Sequence, residues 1–430
     1  MNHAQCIFVL FFILFSPGTT LALSLEEGLK IIAETGRDVR IAQADEEAAQ
    51  AAVGLARSPW LPSVDLYGRE TWLRYQPEAK TPFGAMPTSQ DQFTTYGIRA
   101  TQMLYDFGRT SSSISAARYN LAAREIQTSR ARNLSALDFI IAYLDLLESE
   151  KLLAVAQEEV NRYEAHLKDT AARFNAGVVT KIDVLQADVL IADSRQRFLT
   201  AENLRSLRAS KLNSLLVRPL NDPVTVEEAA ASPASGVSLE EAWAVAEQTN
   251  IDLRDMDARI AAKEKTVQSL RAEFLPTLSV SGGYEYLENR YMAHQDNWSV
   301  IAGVNWNLFA GGASASRVGA ASSELRSLKL AREKMLDAVR LAVKSAHLDL
   351  QISIKKMDVT KSAAAQAGEN VRLQRLRYRE GVGTSTEVLD AVALMTAAES
   401  NSCKAVYGVK RAEAQLLYSM GKDLASSYGK

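Results

Sequence analysis

Tyr378-Arg-Glu-Gly-Val-Gly-Thr-Ser-Thr-Glu-Val-Leu-Asp-Ala391 has a copy 204 residues earlier, Phe174-Asn-Ala-Gly-Val-Val-Thr-Lys-Ile-Asp-Val-Leu-Gln-Ala187. Each copy closes a long helical pattern with an aromatic residue. A glycine suited to a helix C′ position follows, Gly177 or Gly381, and then a new helix with an acid in its first turn, Asp183 or Glu387. The spacing predicts two tight turns, each joining a pair of antiparallel helices.

Outward from the turns the whole chain is duplicated. Ser24-Leu-Glu-Glu27 returns as Ser238-Leu-Glu-Glu241, and Pro62 returns as Pro276, both at an offset of 214. A constant offset over that length marks a repeat. The first repeat covers 23–217 and the second 237–421. A helix-breaking connector, 218–236, lies between them, and 422–430 is a tail. Each repeat opens with one amphipathic pattern, predicting a helix from Ser24 to about Ala56 and another from Ser238 to Glu273. Ten extra residues in the first half, with Pro77, Pro82, Gly84 and Pro87, predict a surface loop and change the offset to 204.

Beyond each proline the period becomes two. Strands are expected at about 62–75 and 93–106, and again at about 276–288 and 297–309. Trp298, Val300, Ala302, Val304, Trp306 and Leu308 form one face of the last strand, against Ser299, Gly303, Asn305 and Asn307. Aromatic-ended strands of this length fit the wall of a membrane barrel. Four strands cannot close alone: two copies would make eight strands and three would make twelve.

The long segments carry heptads: Phe139, Leu146, Leu153, Val160, Leu167 and Phe174 in one half, and Leu336, Val343, Leu350, Met357, Ala364, Val371 and Tyr378 in the other. Small residues such as Ala142, Ser149, Ala346 and Ser353 stand between them, which permits close helix approach. Some 65 helical residues make a rod of ~100 Å. Each half thus reads as one rod flanked by two stacked shorter helices, with a β-hairpin at one end and a turn at the other.

Composition narrows the function. The chain has 49 basic and 51 acidic residues, and this balance leaves no field to attract nucleic acid. Ile7 to Phe15 are apolar and Thr20-Leu-Ala22 are small or apolar, which predicts a secretory signal peptide over 1–22. No cysteine stands directly after Ala22 to carry a lipid anchor, and removal of Cys6 with the signal would leave Cys403 alone, without an internal disulfide. Gly381-Val-Gly383-Thr lacks the rest of a phosphate loop. His3, His166, His294 and His347 are isolated, and no nucleophile elbow or metal-ligand spacing occurs, so no catalytic residue, metal or cofactor is expected.

In this order and duplicated, several short motifs are specific: Leu61-Pro62 and Leu275-Pro276, Leu104-Tyr-Asp-Phe-Gly108 and Leu308-Phe-Ala-Gly-Gly312, and the two turns. The chain resembles the TolC-like outer membrane efflux proteins over essentially all of its length after residue 22. The resemblance implies a mainly α chain with a pair of β-hairpins. Three copies would form a 12-stranded outer-membrane barrel that continues into a periplasmic α-helical barrel. It implies a duct for efflux of small molecules or for type I protein secretion, in the outer membrane with a large periplasmic part. The implied partners are a periplasmic adaptor, an inner-membrane transporter and outer-membrane lipid.

At the entrance, the resemblance places Glu387 and Asp390 at the narrowest point, and Asp183 and Tyr378 among the residues that hold it shut. Gly177, Val178, Thr180, Gly381, Val382, Gly383 and Thr384 form the tips that dock the adaptor. Gly383 stands where a basic residue can occur in the family, and Ile182 where a threonine can, so a closing network through those two is not expected in that form. The competing reading, a soluble periplasmic coiled-coil scaffold, explains the heptads but not the matched amphipathic strands.

Overall fold

The structure is a computed structural model that describes residues 22–228 and 236–428. The expected signal peptide lies, but for its last residue, outside the described residues.

Each half begins with two helices where one was expected: α1 (Leu25–Thr35) and α2 (Arg37–Arg57), then α5 (Leu239–Thr249) and α6 (Ile251–Ala272). The breaks, at Gly36 and Asn250, lie 214 residues apart. Both residues turn extended, with ψ 130° and 125°, while their N–H groups still bond the carbonyls of Ile32 and Ala246. The Asn250 side chain then caps α6, accepting from the N–H groups of Asp252 and Leu253 at 3.0 and 3.3 Å. A side chain at Gly36 would meet the Ile32 carbonyl at 2.6 Å. The apolar pattern runs through both breaks, which is why they were read as continuous helix.

The strands are β1 (Ser63–Trp72), β2 (Glu78–Thr81), β3 (Gly84–Pro87) and β4 (Gln92–Tyr105), followed in the second half by β5 (Thr277–Leu287) and β6 (Asp296–Asn305). The expected surface loop is a small hairpin, β2 paired with β3. The last strand stops at Asn305, short of the expected 309: Trp306 lies past its end and donates its indole N–H to the Phe274 carbonyl at 3.0 Å. The other four form one antiparallel sheet in the order β1-β4-β5-β6.

Register sorts this sheet into two faces. Val64, Leu66 and Trp72 of β1 align with Ile98 and Tyr96 of β4, then Tyr284 and Tyr286 of β5, then Trp298, Val300 and Val304 of β6. The opposite face carries Asp65, Tyr67, Arg99, Glu285, Asn297 and Ser299, with the Tyr67 hydroxyl donating to Glu285 at 2.6 Å. Glu70 sits on the apolar face at the far end of β1, where Thr94 and Gln92 donate to it.

Strands become rods at Asp106-Phe107-Gly108. Phe107 and Gly108 both have positive φ, and the buried Asp106 carboxylate accepts from the N–H groups of Gly108 and Thr110 at 3.2 and 2.6 Å. The second half reaches the same bend with Gly311 and Gly312. The rods are α3 (Arg109–Asn175) and α7 (Ala313–Arg379), each of 67 residues and so ~100 Å long. Their return helices are α4 (Lys181–Leu215) and α8 (Ser385–Ser419).

The heptad residues face the seams, except that Phe174, at the end of the first series, is 41% exposed. Phe139, Leu146, Val160, Val343, Leu350, Val371 and Tyr378 are buried. α3 is the more enclosed rod, packed against α2 and α4 of its own half and α6 and α8 of the other, whereas α7 packs on α5, α6 and α8. The halves exchange size at matching positions. The Phe139 ring lies over Gly28, leaving no room for a Cβ, and the second half sets Ala242 and Val343 in the corresponding places of its own core cluster.

A belt forms at mid-height. Leu23 pairs with Val226 of the connector, and the buried Tyr143 hydroxyl bonds the carbonyls of Leu23 (2.9 Å) and Glu227 (2.6 Å). Burial pushes that hydroxyl's pKa up to about 12. The expected tail instead folds into α9 (Leu424–Tyr428): Leu424 is fully buried and donates its N–H to Asn133, whose amide returns a bond to the Lys422 carbonyl. No helix among the described residues is long and apolar enough to cross a membrane.

Candidate channel entrance and docking tip

Both turns form as expected, and by the same bonds. Gly177 and Gly381 have φ of +72° and +77°. The N–H groups of Val178 and Val382 reach back to the carbonyls of Arg173 and Arg377 at 2.9 and 3.0 Å, closing each helix with a Schellman turn. Val178 and Val382 are left 64% and 69% exposed at the apex, with no apolar neighbour to cover them. Thr180 and Thr384 then cap α4 and α8.

Two of the three acids expected near the entrance complete those caps. Asp183 accepts from the Thr180 N–H at 3.0 Å, and Glu387 from the Thr384 N–H, also at 3.0 Å. Glu387 keeps a second oxygen 3.7 Å from Arg377. Asp390, one turn on and on the same face of α8, is exposed and makes no hydrogen bond or ion pair among the described residues. Glu387 and Asp390 are therefore brought together, while Asp183 starts a different helix. The Thr386 hydroxyl lies 3.5 Å from Gln186, the side-chain link between the starts of α8 and α4.

Tyr378 lies deeper than the turn residues. It is buried, and its hydroxyl lies 3.2 Å from that of Thr170 on α3. Thr170 is 3.3 Å from His166 Nε2, which in turn is 2.9 Å from the Ser385 hydroxyl. The Arg173 guanidinium covers the Tyr378 ring at 4.8 Å. This cluster ties the end of α7 and the start of α8 to the other half's rod. Sequence reasoning set His166 aside as isolated and missed Thr170 and Ser385, because periodicity does not pair residues 219 positions apart. One signal was available: Tyr378 replaces Phe174 of the copy, and a buried hydroxyl needs a partner. Burial depresses the His166 pKa, opposed by Asp169 and Asp183 and reinforced by Arg375.

The two departures from the family pattern have different surroundings. Ile182 is 66% exposed beside the first turn. Gly383 is closely surrounded: a Cβ there would lie 3.1 Å from Arg377 Cβ and from the Tyr378 nitrogen, although the first turn carries Val179 at the matching position. No cluster of His, Cys, Asp and Glu that could hold a metal occurs among the described residues.

The sequence model of the family described as outer membrane efflux protein matches residues 29–216 and 244–422. The outer membrane efflux protein BepC of Brucella suis is 22% identical over 357 residues, which cover 80% of this chain and 76% of BepC. The outer membrane protein TolC of Salmonella enteritidis is 22% identical over 422 residues, 93% of this chain and 83% of TolC. Among solved structures, the outer membrane protein VceC of Vibrio cholerae superposes with a TM-score of 0.80 at 16% identity, covering 93% of this chain and 96% of VceC.

Proposed function

The chain belongs to the outer membrane efflux protein family, and from that premise we propose that three copies close into one continuous duct. It is an outer membrane component of efflux pumps, with its helices in the periplasm. The observation that carries the trimer is a sheet with one apolar face, one polar face and two unpaired edges. β1 and β6 run in opposite directions, so β6 of one copy can pair antiparallel with β1 of the next, hiding both edges from lipid. Eight strands would enclose a space that side chains fill, whereas twelve leave a passage. The apolar face then meets lipid, and the face with Asp65, Arg99 and Glu285 lines the lumen.

The helices support the same closure. α4 exposes Ile182, Leu185, Val189 and Leu199 along the side away from α3, at heptad spacing. α7 exposes Leu341, Leu348, Ile352, Val359, Leu373 and Leu376 opposite its seam with α8. Within one chain α8 already packs against the other half's rod. By the repeat, α4 packs against α7 of the next copy in the equivalent way.

On this reading the turns point into the periplasm and dock an adaptor that joins the duct to an inner-membrane transporter. Glu387 and Asp390 gather around the axis as the constriction, and the Tyr378 cluster holds the entrance shut. The cargo is a small molecule or a secreted protein. The test is the mass of the detergent-extracted protein from outer membranes, expected at three chains. A stable monomer or dimer that still conducts would overturn the trimer.

A further inference from the structure

Just above the second turn, α7 carries Arg372, Arg375 and Arg379 along one face, at the spacing that makes helix positions neighbours. Arg162 of α3 reaches the same place across α8. With Val371, Leu376 and Met395 these arginines line a pocket of about 340 Å³. Asp390 and Met395 are five residues apart on α8, about 140° around the helix, so the pocket does not share the face of Asp390.

The charges in the pocket do not balance. Arg162 is held by two hydrogen bonds to Glu399, at 2.7 and 2.9 Å, and Arg372 by two to Glu369, at 2.8 and 2.7 Å. Arg375 and Arg379 have no carboxylate partner among the described residues. One terminal nitrogen of Arg375, Nη2, is buried without a hydrogen-bond partner among the described residues. A buried, unpaired guanidinium N–H is a strong donor with an unmet need. Burial, then the like charges of Arg162 and Arg379, push the Arg375 pKa down, as expected for a cation lacking its counterion.

We propose that this pocket is an anion-binding site for a small, doubly charged oxyanion of the phosphate class. Two guanidinium groups without partners match a dianion in charge, and their forked donors match its oxygens. The apolar wall of Val371, Leu376 and Met395 gives room for an organic group behind the charged head, within the size range of small-molecule sites. All the residues that line the pocket belong to one chain, and Leu376 lies on the edge of it nearest the α7 face proposed to meet the next copy. Because its walls come from α3, α7 and α8, a bound anion clamps the two halves together beside the Tyr378 cluster.

The test is calorimetric titration of the detergent-solubilised protein with inorganic phosphate and with phenyl phosphate, ionic strength being held with chloride. Saturable binding at one site per chain is expected, tighter for phenyl phosphate. It should weaken at least tenfold in Arg375→Gln and in Arg379→Gln and be unchanged in the remote, exposed Arg326→Gln. Arg379 is exposed and has no carboxylate partner among the described residues, so its variant keeps the test alive if Arg375→Gln misfolds. Absence of saturable binding, or wild-type affinity in Arg379→Gln, would overturn the site.

Discussion

Arg162 on α3 and Glu399 on α8 meet through two parallel hydrogen bonds of 2.7 and 2.9 Å, so the two halves of one chain are clamped to each other well above the turns. Their side chains are only 17% and 25% exposed. Replacing Glu399 by Gln leaves Arg162 half-buried next to Arg375 without its counterion. We expect a loss of about 2 kcal/mol, below the 3–5 of a fully buried pair. Tyr378→Phe, which makes this position match Phe174, should cost about 1 kcal/mol by leaving Thr170 without its hydroxyl partner. Thermal unfolding measures both losses. Single-channel recording should show a larger open fraction in each variant, and unchanged conductance would mean that these ties do not restrain the entrance.

His166 makes the same tie sensitive to acid. Its pKa in the folded protein lies below the unfolded value because burial disfavours the imidazolium. Above about pH 6.5 both states are neutral and the contribution is constant. As pH falls through that value the unfolded chain takes up the proton first, so stability is lost until the depressed folded pKa is passed. The groups facing the ring are Ser385, Thr170, Tyr378, Asp169, Asp183 and Arg375. Hydrogen-exchange protection factors in the last turns of α3 and α7, taken relative to the intrinsic rate at each pH, should fall as the pH is lowered from 7.5 to 5, and should lose that dependence in His166→Gln. An identical pH profile in both would assign the sensitivity elsewhere.

The exposed line on α4 offers a separable test of assembly. Leu185 and Val189 are 52% and 67% exposed in the single chain, so Leu185→Glu/Val189→Glu removes almost no internal packing. In a closed ring the same substitutions would bury two carboxylates against α7 of the neighbour, at a cost of several kcal/mol. Light scattering in detergent should give monomers with unchanged helical content. Persistent trimers would remove this line from the interface.

The repeat made much of this fold legible. Two fixed offsets located the rods, both turns and four strands, because duplication and a period of 3.5 or 2 are properties of spacing alone. Interruptions that keep the apolar pattern were invisible: Gly36 and Asn250 break their helices while Leu29, Ile32 and Val39, or Ala246 and Leu253, stay on the buried side. Asn250 is itself a capping residue, the signal that could have marked the break. The docking of Leu424 on Asn133, and of His166 on Ser385, joins residues hundreds of positions apart, which no local pattern encodes. The caps made by Asp183 and Glu387 were legible in outline, since each acid stands three residues after a threonine at a helix start.

At the apex, Val178 and Val382 can be changed without touching the turns, since only their backbone atoms take part in them. Val178→Glu/Val382→Glu should leave the protein folded, trimeric and inserted, yet abolish export by repelling an apolar partner surface. Chemical crosslinking to the adaptor should fall in parallel. Full export by the double variant would move the docking surface away from the turns.

The constriction acids need variants that respect the cap. Glu387→Ala would also remove the bond to the Thr384 N–H, costing about 1 kcal/mol at the start of α8. Glu387→Gln keeps an acceptor there, and Asp390→Asn changes a side chain that makes no hydrogen bond or ion pair among the described residues. In a threefold ring the two acids of each copy face one another around the axis, and Arg377, 3.7 Å from Glu387, offsets part of that charge. The remaining excess should attract cations and bind multivalent ones. Wild-type channels in planar bilayers should therefore be cation-selective and blocked by a trivalent cation from the periplasmic side. Asp390→Asn should weaken the block, Glu387→Gln/Asp390→Asn should remove most of it, and Arg377→Gln should strengthen it. Equal block in all four proteins would mean that these side chains do not line the narrowest point.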